Sequence, residues 1–235
     1  MVSQFNIAKK ASDQAIDQGL RSYMLGIYNY MALGLSLTGI VAYMLGQNTE
    51  LMKVIFGSPL AFVVLLAPLG VALFMQFRLN KISASTAQLL FWVFAGLMGV
   101  SLSVIFTIYT GTSIARTFFV TASMFGTMSL WGYTTKADLT RMGSFLFMGL
   151  IGIIIASLVN LFLQSSALQM VVSILGVIIF TGLTAYDTQQ IKAMYYESDG
   201  FETTQKKSIV AALMLYMDFI NLFMHLLRFL GDRRN

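Results

Sequence analysis

The chain has 235 residues, of which 57% are hydrophobic and 11% are Asp, Glu, Lys or Arg. A soluble globular chain carries roughly 45–50% apolar and about 25% charged residues, so this chain has too few charges to cover a soluble surface. Its mean hydropathy of +0.75 marks a polytopic membrane protein and excludes a soluble enzyme, a disordered tail and a nucleic-acid-binding domain. The net charge of +5 reports membrane orientation rather than a nucleic-acid partner. Without cysteine there is no disulfide framework and no thiolate chemistry. A single histidine gives little prospect of a histidine-built metal site, and no cofactor is expected.

Seven apolar runs have the length of about 20 residues that crosses a bilayer core at roughly 1.5 Å per residue. They are Met24–Leu45, Val54–Phe77, Thr86–Tyr109, Thr112–Tyr133, Met142–Leu163, Leu168–Gln190 and Lys207–Leu230. The fold class expected is an all-α integral membrane protein, a seven-transmembrane-helix bundle with short connections between antiparallel neighbours. Pro59 sits near the start of the second span, where proline is tolerated, and Pro68 should bend it near Leu65–Pro68. The organisation expected is a cytoplasmic N-terminal tail (1–22), a membrane domain (23–231) and a C-terminal tail (232–235). Met1–Ser22 is polar and lacks the apolar core of a signal peptide, so the first span is expected to act as its own uncleaved insertion signal.

Basic residues set the orientation. With the N-terminus in the cytoplasm, Lys9, Lys10, Arg21, Arg78, Lys81, Lys136, Arg141, Lys192, Lys206 and Lys207 lie inside, against Lys53, Arg116, Arg228, Arg233 and Arg234 outside. Ten against five favours this orientation. Because three of the exceptions cluster at the C-terminus, the last helix either crosses fully against the rule or re-enters. Gly152 and Ala156, and Gly96 with Gly99, are candidates for close helix contacts through small residues. Tyr23, Trp92, Tyr109, Trp131 and Tyr133 are candidates for the aromatic belts, with packing and anchoring as their expected role.

Of the ten acids, eight fall in tails or connections. Asp187, in IIFTGLTAYDTQQIK (Ile178–Lys192), and Asp218, in AALMLYMDFINLFMHLLRFLG (Ala211–Gly231), fall inside spans. A carboxylate in the bilayer core costs a few kcal/mol and marks a function by default. A turn at Asp199-Gly200 would place both at similar depth on an antiparallel helix pair. If they meet, repulsion and burial both resist double ionisation. The pair then shares one proton over part of the physiological range, which makes it a pH sensor and, when fully charged, a transient calcium or other cation site. The alternative is a hydrogen-bonded pair that only holds two helices together. Asn221 and His225 share the Asp218 face of their helix and are candidates for the same network. Arg78 and Lys81, closing the second span, are candidate counter-charges or simply follow the positive-inside rule.

At these segments the chain resembles the Bax-inhibitor family, the transmembrane Bax-inhibitor-motif proteins. The resemblance is carried by FTGLTAYDTQQIK (Phe180–Lys192) and AALMLYMDFINLFMHLLRFLG (Ala211–Gly231), with GYTTKADLTRMGSFL (Gly132–Leu146) and SIARTFFVTASMFG (Ser113–Gly126) beside them. It runs through essentially all seven spans and suggests a bacterial member. It implies a bundle with the last helix at the centre and a pH-dependent calcium leak. It matches Asp187 and Asp218 to the family's sensing aspartates, and Arg78 or Lys81 to its basic latch. Some bacterial relatives bind a membrane-bound ATP-dependent protease, which makes such a protease a candidate partner beside membrane lipids and calcium; eukaryotic relatives suppress cell death. The chain departs from several relatives in lacking an acid in the second span, whose middle reads LLAPLGVALF (Leu65–Phe74).

Other functions fit less well. Two membrane aspartates also suit an intramembrane aspartyl protease, and Tyr186-Asp187 copies its Tyr-Asp pair. That class carries Gly-x-Gly-Asp, whereas Asp218 here follows Leu215-Tyr216-Met217. Its Pro-Ala-Leu motif is missing, and no Gly-x-Ser-Gly occurs for a serine protease. The reading is therefore a pH-sensitive calcium leak channel rather than an enzyme, with a membrane-embedded modulator of a protease as the alternative.

Overall fold

The computed structural model describes residues 2–234, with side chains from Asp17 onward apart from Asn80; Met1, Asn235 and the side chains of 2–16, Lys9 and Lys10 among them, lie outside the described residues. Among the described residues the chain is all helical: α1 (Val2–Gly46), α2 (Thr49–Phe56), α3 (Leu60–Arg78), α4 (Ala84–Leu102), α5 (Ile105–Ile108), α6 (Gly111–Thr134), α7 (Thr140–Leu163), α8 (Ser166–Ala193) and α9 (Phe201–Leu230). Among the described residues six segments are long and apolar enough to cross a membrane: Asp17–Gly46, Leu60–Arg78, Ala84–Ile108, Thr140–Leu163, Ser166–Ala193 and Phe201–Leu230. The remaining expected span, Thr112–Tyr133, folds as α6, which matches α7 in length at 24 residues but is less apolar. Four of its polar residues, Ser113, Thr117, Thr121 and Ser129, are buried, while Arg116, Ser123 and Thr127 are exposed; Thr121 bonds back to the Thr117 carbonyl at 2.8 Å.

Two expected spans are interrupted. The second, read as Val54–Phe77, breaks at Gly57-Ser58-Pro59. Pro59 has no N–H to continue a helix, and Ser58 Oγ takes up the Val54 carbonyl at 2.7 Å. The third, read as Thr86–Tyr109, starts two residues earlier. There Ser83 accepts the Thr86 N–H at 3.2 Å as an N-cap. It breaks after Leu102, where Ser103 Oγ turns back to the Val100 carbonyl at 2.6 Å.

Helix α3 continues through Pro68. Proline at 68 withholds the N–H that would bond to the carbonyl four residues back, which is Val64. Ser101 of α4 fills that place: its Oγ donates to Val64 O at 2.7 Å, and also lies 3.0 Å from its own Leu97 carbonyl. A polar group left alone in hydrocarbon costs several kcal/mol, so the proline and the serine of the neighbouring helix belong together.

The helices alternate in direction between two ends of the bundle. Tyr23, in the first turns of the Asp17–Gly46 segment of α1, packs on Tyr195 beyond α8, with ring centroids 5.4 Å apart. Lys192, at the end of α8, donates to Tyr133 O near the end of α6 at 3.0 Å. The C-terminal tail lies at the opposite end, paired with the α5–α6 turn through Thr110 N to Asp232 O (3.1 Å) and Arg234 N to Ile108 O (2.9 Å). Arg116 adds an ion pair to Asp232 at 3.0 Å. Helix α9 is thus an unbroken helix of 30 residues whose tail is pinned at the end opposite its start. It is the most buried of the six segments, while α3 and α7 are the least, and it packs against α1, α3, α4, α6 and α8.

Close helix approaches occur at glycines other than most of those expected. A Cβ on Gly152 or Gly96 would meet nothing within 4 Å, so neither is a contact. Gly99 does pack closely, with Thr38 O at 2.8 Å from where its Cβ would stand. The tightest such contact joins α6 to α8, where a Cβ on Gly132 would overlap the Ala185 carbonyl oxygen. Two of the expected belt aromatics, Tyr23 and Tyr109, are buried in the protein rather than placed at a lipid interface.

Ser101→Ala should lower the stability of the purified protein by about 1–2 kcal/mol, because it leaves a buried carbonyl without a donor. In a Pro68→Ala background the helix recovers its own N–H, so the same substitution should cost clearly less. Thermal unfolding of the four proteins in one detergent measures this double-mutant cycle; equal costs in both backgrounds would show that Ser101 does not compensate the proline.

Candidate functional site: two carboxyl groups at the α8–α9 contact

Asp187 lies six residues, about 9 Å, before the end of α8. Its own helix surrounds it with buried Leu183, Thr184, Ala185, Thr188 and Ile191. Asp218 lies mid-way along α9 among buried Leu215, Tyr216, Phe219 and Leu222. The register of the two helices is fixed by Lys207, whose Nζ donates to Met194 O at 3.0 Å, pairs with Asp199 and lies 4.8 Å from the centre of the Tyr196 ring. Asp187 precedes Met194 by seven residues and Asp218 follows Lys207 by eleven. The difference of four residues is about 6 Å of helix rise, which the Lys207 side chain spans.

The two aspartates consequently meet. Their carboxyl groups are within hydrogen-bonding reach of one another, and they are 8% and 5% exposed. Asp218 Oδ2 is buried with no hydrogen-bond partner. None of the ion pairs among the described residues includes either acid. Two carboxylates cannot hydrogen-bond to each other, because neither has a donor; with one proton between them, one O–H donates to the other group's oxygen. Among the described residues no third acid or histidine joins them. Calcium takes six to eight oxygen ligands, so the pair by itself could hold such an ion only while it keeps most of its water.

The other candidates stand apart from this pair. Arg78 ends α3 and Lys81 closes the turn after it; both are exposed, and neither forms an ion pair among the described residues. Asn221 turns its amide back to Met217 O at 2.8 Å. His225 is buried, stacks on Phe180 at a centroid distance of 5.6 Å and leaves Nδ1 without a partner. It lies seven residues, roughly 10 Å, along the helix from Asp218. No hydrogen bond among the described residues links Asn221 or His225 to the aspartates.

Two hydroxyl networks beside the pair escape a reading of charges alone. Tyr28 and Ser129 are 2.6 Å apart, Ser129 and Thr188 are 2.9 Å apart, and Thr188 donates to Thr184 O at 2.7 Å. This chain ties α1, α6 and α8 together at the residue next to Asp187. On the other side Thr38 donates to Ala95 O at 2.7 Å and meets Tyr216 OH at 2.7 Å, tying α1, α4 and α9 two residues from Asp218. The available signal was a hydroxyl inside an apolar run, which must find a partner there. Sequence alone does not say which.

The family model described as inhibitor of apoptosis-promoting Bax1 matches residues 20–235. RP147 of Rickettsia prowazekii is 54% identical over 225 residues, covering 96% of this chain and 95% of its own length. The inner membrane protein YbhL of Escherichia coli strain K12 is 47% identical over 219 residues, covering 92% and 94%. A Caulobacter vibrioides protein is 46% identical over 239 residues, covering 97% and 96%. With the match running through both aspartate segments and nearly the whole length, this chain belongs to the Bax-inhibitor family of membrane proteins.

Proposed function

We propose that this protein is a pH-sensitive cation leak channel of the inner membrane, passing calcium, with the Asp187–Asp218 pair as sensor and gate. The observation that carries the reading is the meeting of two buried carboxyl groups from neighbouring helices with no basic partner. In this reading α6 is a seventh crossing. Its length and its packing against α8 and α9 support this, since Ser113, Thr117, Thr121 and Ser129 are covered by protein. The bundle is then arranged around α9, with the N-terminus cytoplasmic as the basic-residue count suggests. YbhL, an inner membrane protein by name, supports the location.

The gate works through one shared proton. With the proton present, one carboxyl donates to the other and clamps α8 to α9. With it lost, two charges face each other in a medium of low polarity, where the repulsion is far stronger than in water. The pair must then separate, draw in a cation, or recruit a basic side chain; Arg78 and Lys81 at the same end of the bundle are the candidates for that latch. Cation passage therefore changes with pH, by at most about tenfold per pH unit for one titrating proton.

Calcium flux into liposomes containing the purified protein should depend on pH. Asp187→Asn and Asp218→Asn should each flatten that dependence, because Asn keeps size and hydrogen bonding but does not titrate. The double variant should add little to either single one, since the titrating unit is already lost. A double variant with the pH profile of the unaltered protein would place the sensor elsewhere.

The orientation has its own test. A reporter fused after Lys136 should report from the cytoplasm; a periplasmic signal there reverses the assignment.

A further inference from the structure

Helix α7 packs against α8 and leaves a cleft of about 530 Å³ between itself and α9. The α7 wall is apolar apart from Ser157, whose hydroxyl turns back to the Ile153 carbonyl at 2.7 Å. Ile154, Leu158 and Leu161 line it and are 50%, 55% and 70% exposed, so the cleft opens sideways, towards lipid in a membrane. The α9 wall carries Asn221, His225 and Arg228 on successive turns of one face, with Met224 beside them. Among the described residues no acid lines the cleft, and Arg228 takes part in none of their ion pairs. An arginine without a counter-charge thus stands at the mouth of a groove with a hydrocarbon-like wall.

Its depth follows from the packing. The His225 ring lies against Gly176. In the antiparallel α9, Arg228 is one turn further on and comes level with about Ser173, seven residues or roughly 10 Å inside the first residue of α8. Helix α8, with 28 residues, is about 42 Å long against a hydrocarbon core of about 30 Å. The Arg228 backbone therefore lies a few ångströms inside the hydrocarbon edge, from where its guanidinium reaches headgroup level.

We propose that this cleft binds one anionic phospholipid of the surrounding bilayer. The phosphate pairs with Arg228, whose planar fork suits phosphate oxygens. The ester region lies beside His225 and Asn221, which keep the wall polar one and two turns deeper. One acyl chain runs along Ile154, Leu158 and Leu161. A free inorganic phosphate would match the arginine but leave the apolar wall without an occupant.

The test uses the full chain, stripped of lipid in detergent and offered equal amounts of phosphatidylglycerol and phosphatidylcholine, with bound lipid read by native mass spectrometry. The unaltered protein should retain phosphatidylglycerol in preference. Arg228→Gln should reduce that retention by about tenfold, in line with losing a hydrogen-bonded charge contact, and Arg228→Lys should recover part of it. Ile154→Trp, which fills the apolar side and leaves the charge in place, should reduce retention as well. Lys53→Gln, a charge change at the same end of the bundle, should leave it unaltered. The proposal is overturned if Arg228→Gln and Ile154→Trp both retain lipid as the unaltered protein does. It is equally overturned if Lys53→Gln loses as much, or if inorganic phosphate displaces the lipid at matching concentration.

Discussion

In hydrocarbon a backbone or hydroxyl group has no water to turn to, and leaving it alone costs several kcal/mol. That single constraint organises this bundle. Pro68 deprives Val64 of its helical donor, and Ser101 of the next helix supplies one. The buried hydroxyls of α6 lie under α8 and α9, where Ser129 finds Tyr28 and Thr188, and the exposed Ser123 and Thr127 bond back to carbonyls of their own helix. Tyr216, among the largest fully buried side chains, is held by Thr38. These bonds run between helices, so satisfying the polar groups also fixes which helices are neighbours and at what register.

Against that background, the groups without partners stand out. Beside Asp218 Oδ2 they include Thr181 Oγ1 on α8, Thr117 Oγ1 on α6 and His225 Nδ1 on α9. Thr181 and His225 lie on the side of the aspartates towards the C-terminal tail, and Thr117 belongs to the first turns of α6, which begin at that same end. Towards the other end Lys192 is held by the Tyr133 carbonyl and Lys207 by Asp199 and Met194. The division is not complete, since the buried Tyr23 OH, packed on Tyr195 at that other end, also has no partner among the described residues.

What was legible in the sequence was what hydropathy and charge encode. The spans read from apolar runs recur as helices, and the similar depth of Asp187 and Asp218 followed from counting residues back from one turn. What was not legible depended on partners. Gly152-x-x-x-Ala156 and Gly132 are both small-residue sites, but only Gly132 faces another backbone. Lys192 and Lys207 count as loop charges in a topology argument, yet both fold back onto carbonyls and aromatic rings. The break at Gly57-Ser58-Pro59 was hidden in a continuous apolar run, because hydropathy does not register a missing N–H.

The same reasoning bears on Arg78 and Lys81, which are exposed and form no ion pair with the aspartates among the described residues. A basic side chain bonded to Asp187 or Asp218 would satisfy the pair at every pH and leave nothing to titrate. With both cations exposed at the bundle end, the pair has one cheap way to satisfy itself, which is to keep a proton. Under the proposed function its state follows the supply of protons, and a rearrangement that brought Arg78 or Lys81 inward would compete with that proton. The proposed sensor requires a counter-charge that is not in contact with the pair, and among the described residues neither Arg78 nor Lys81 forms an ion pair with Asp187 or Asp218.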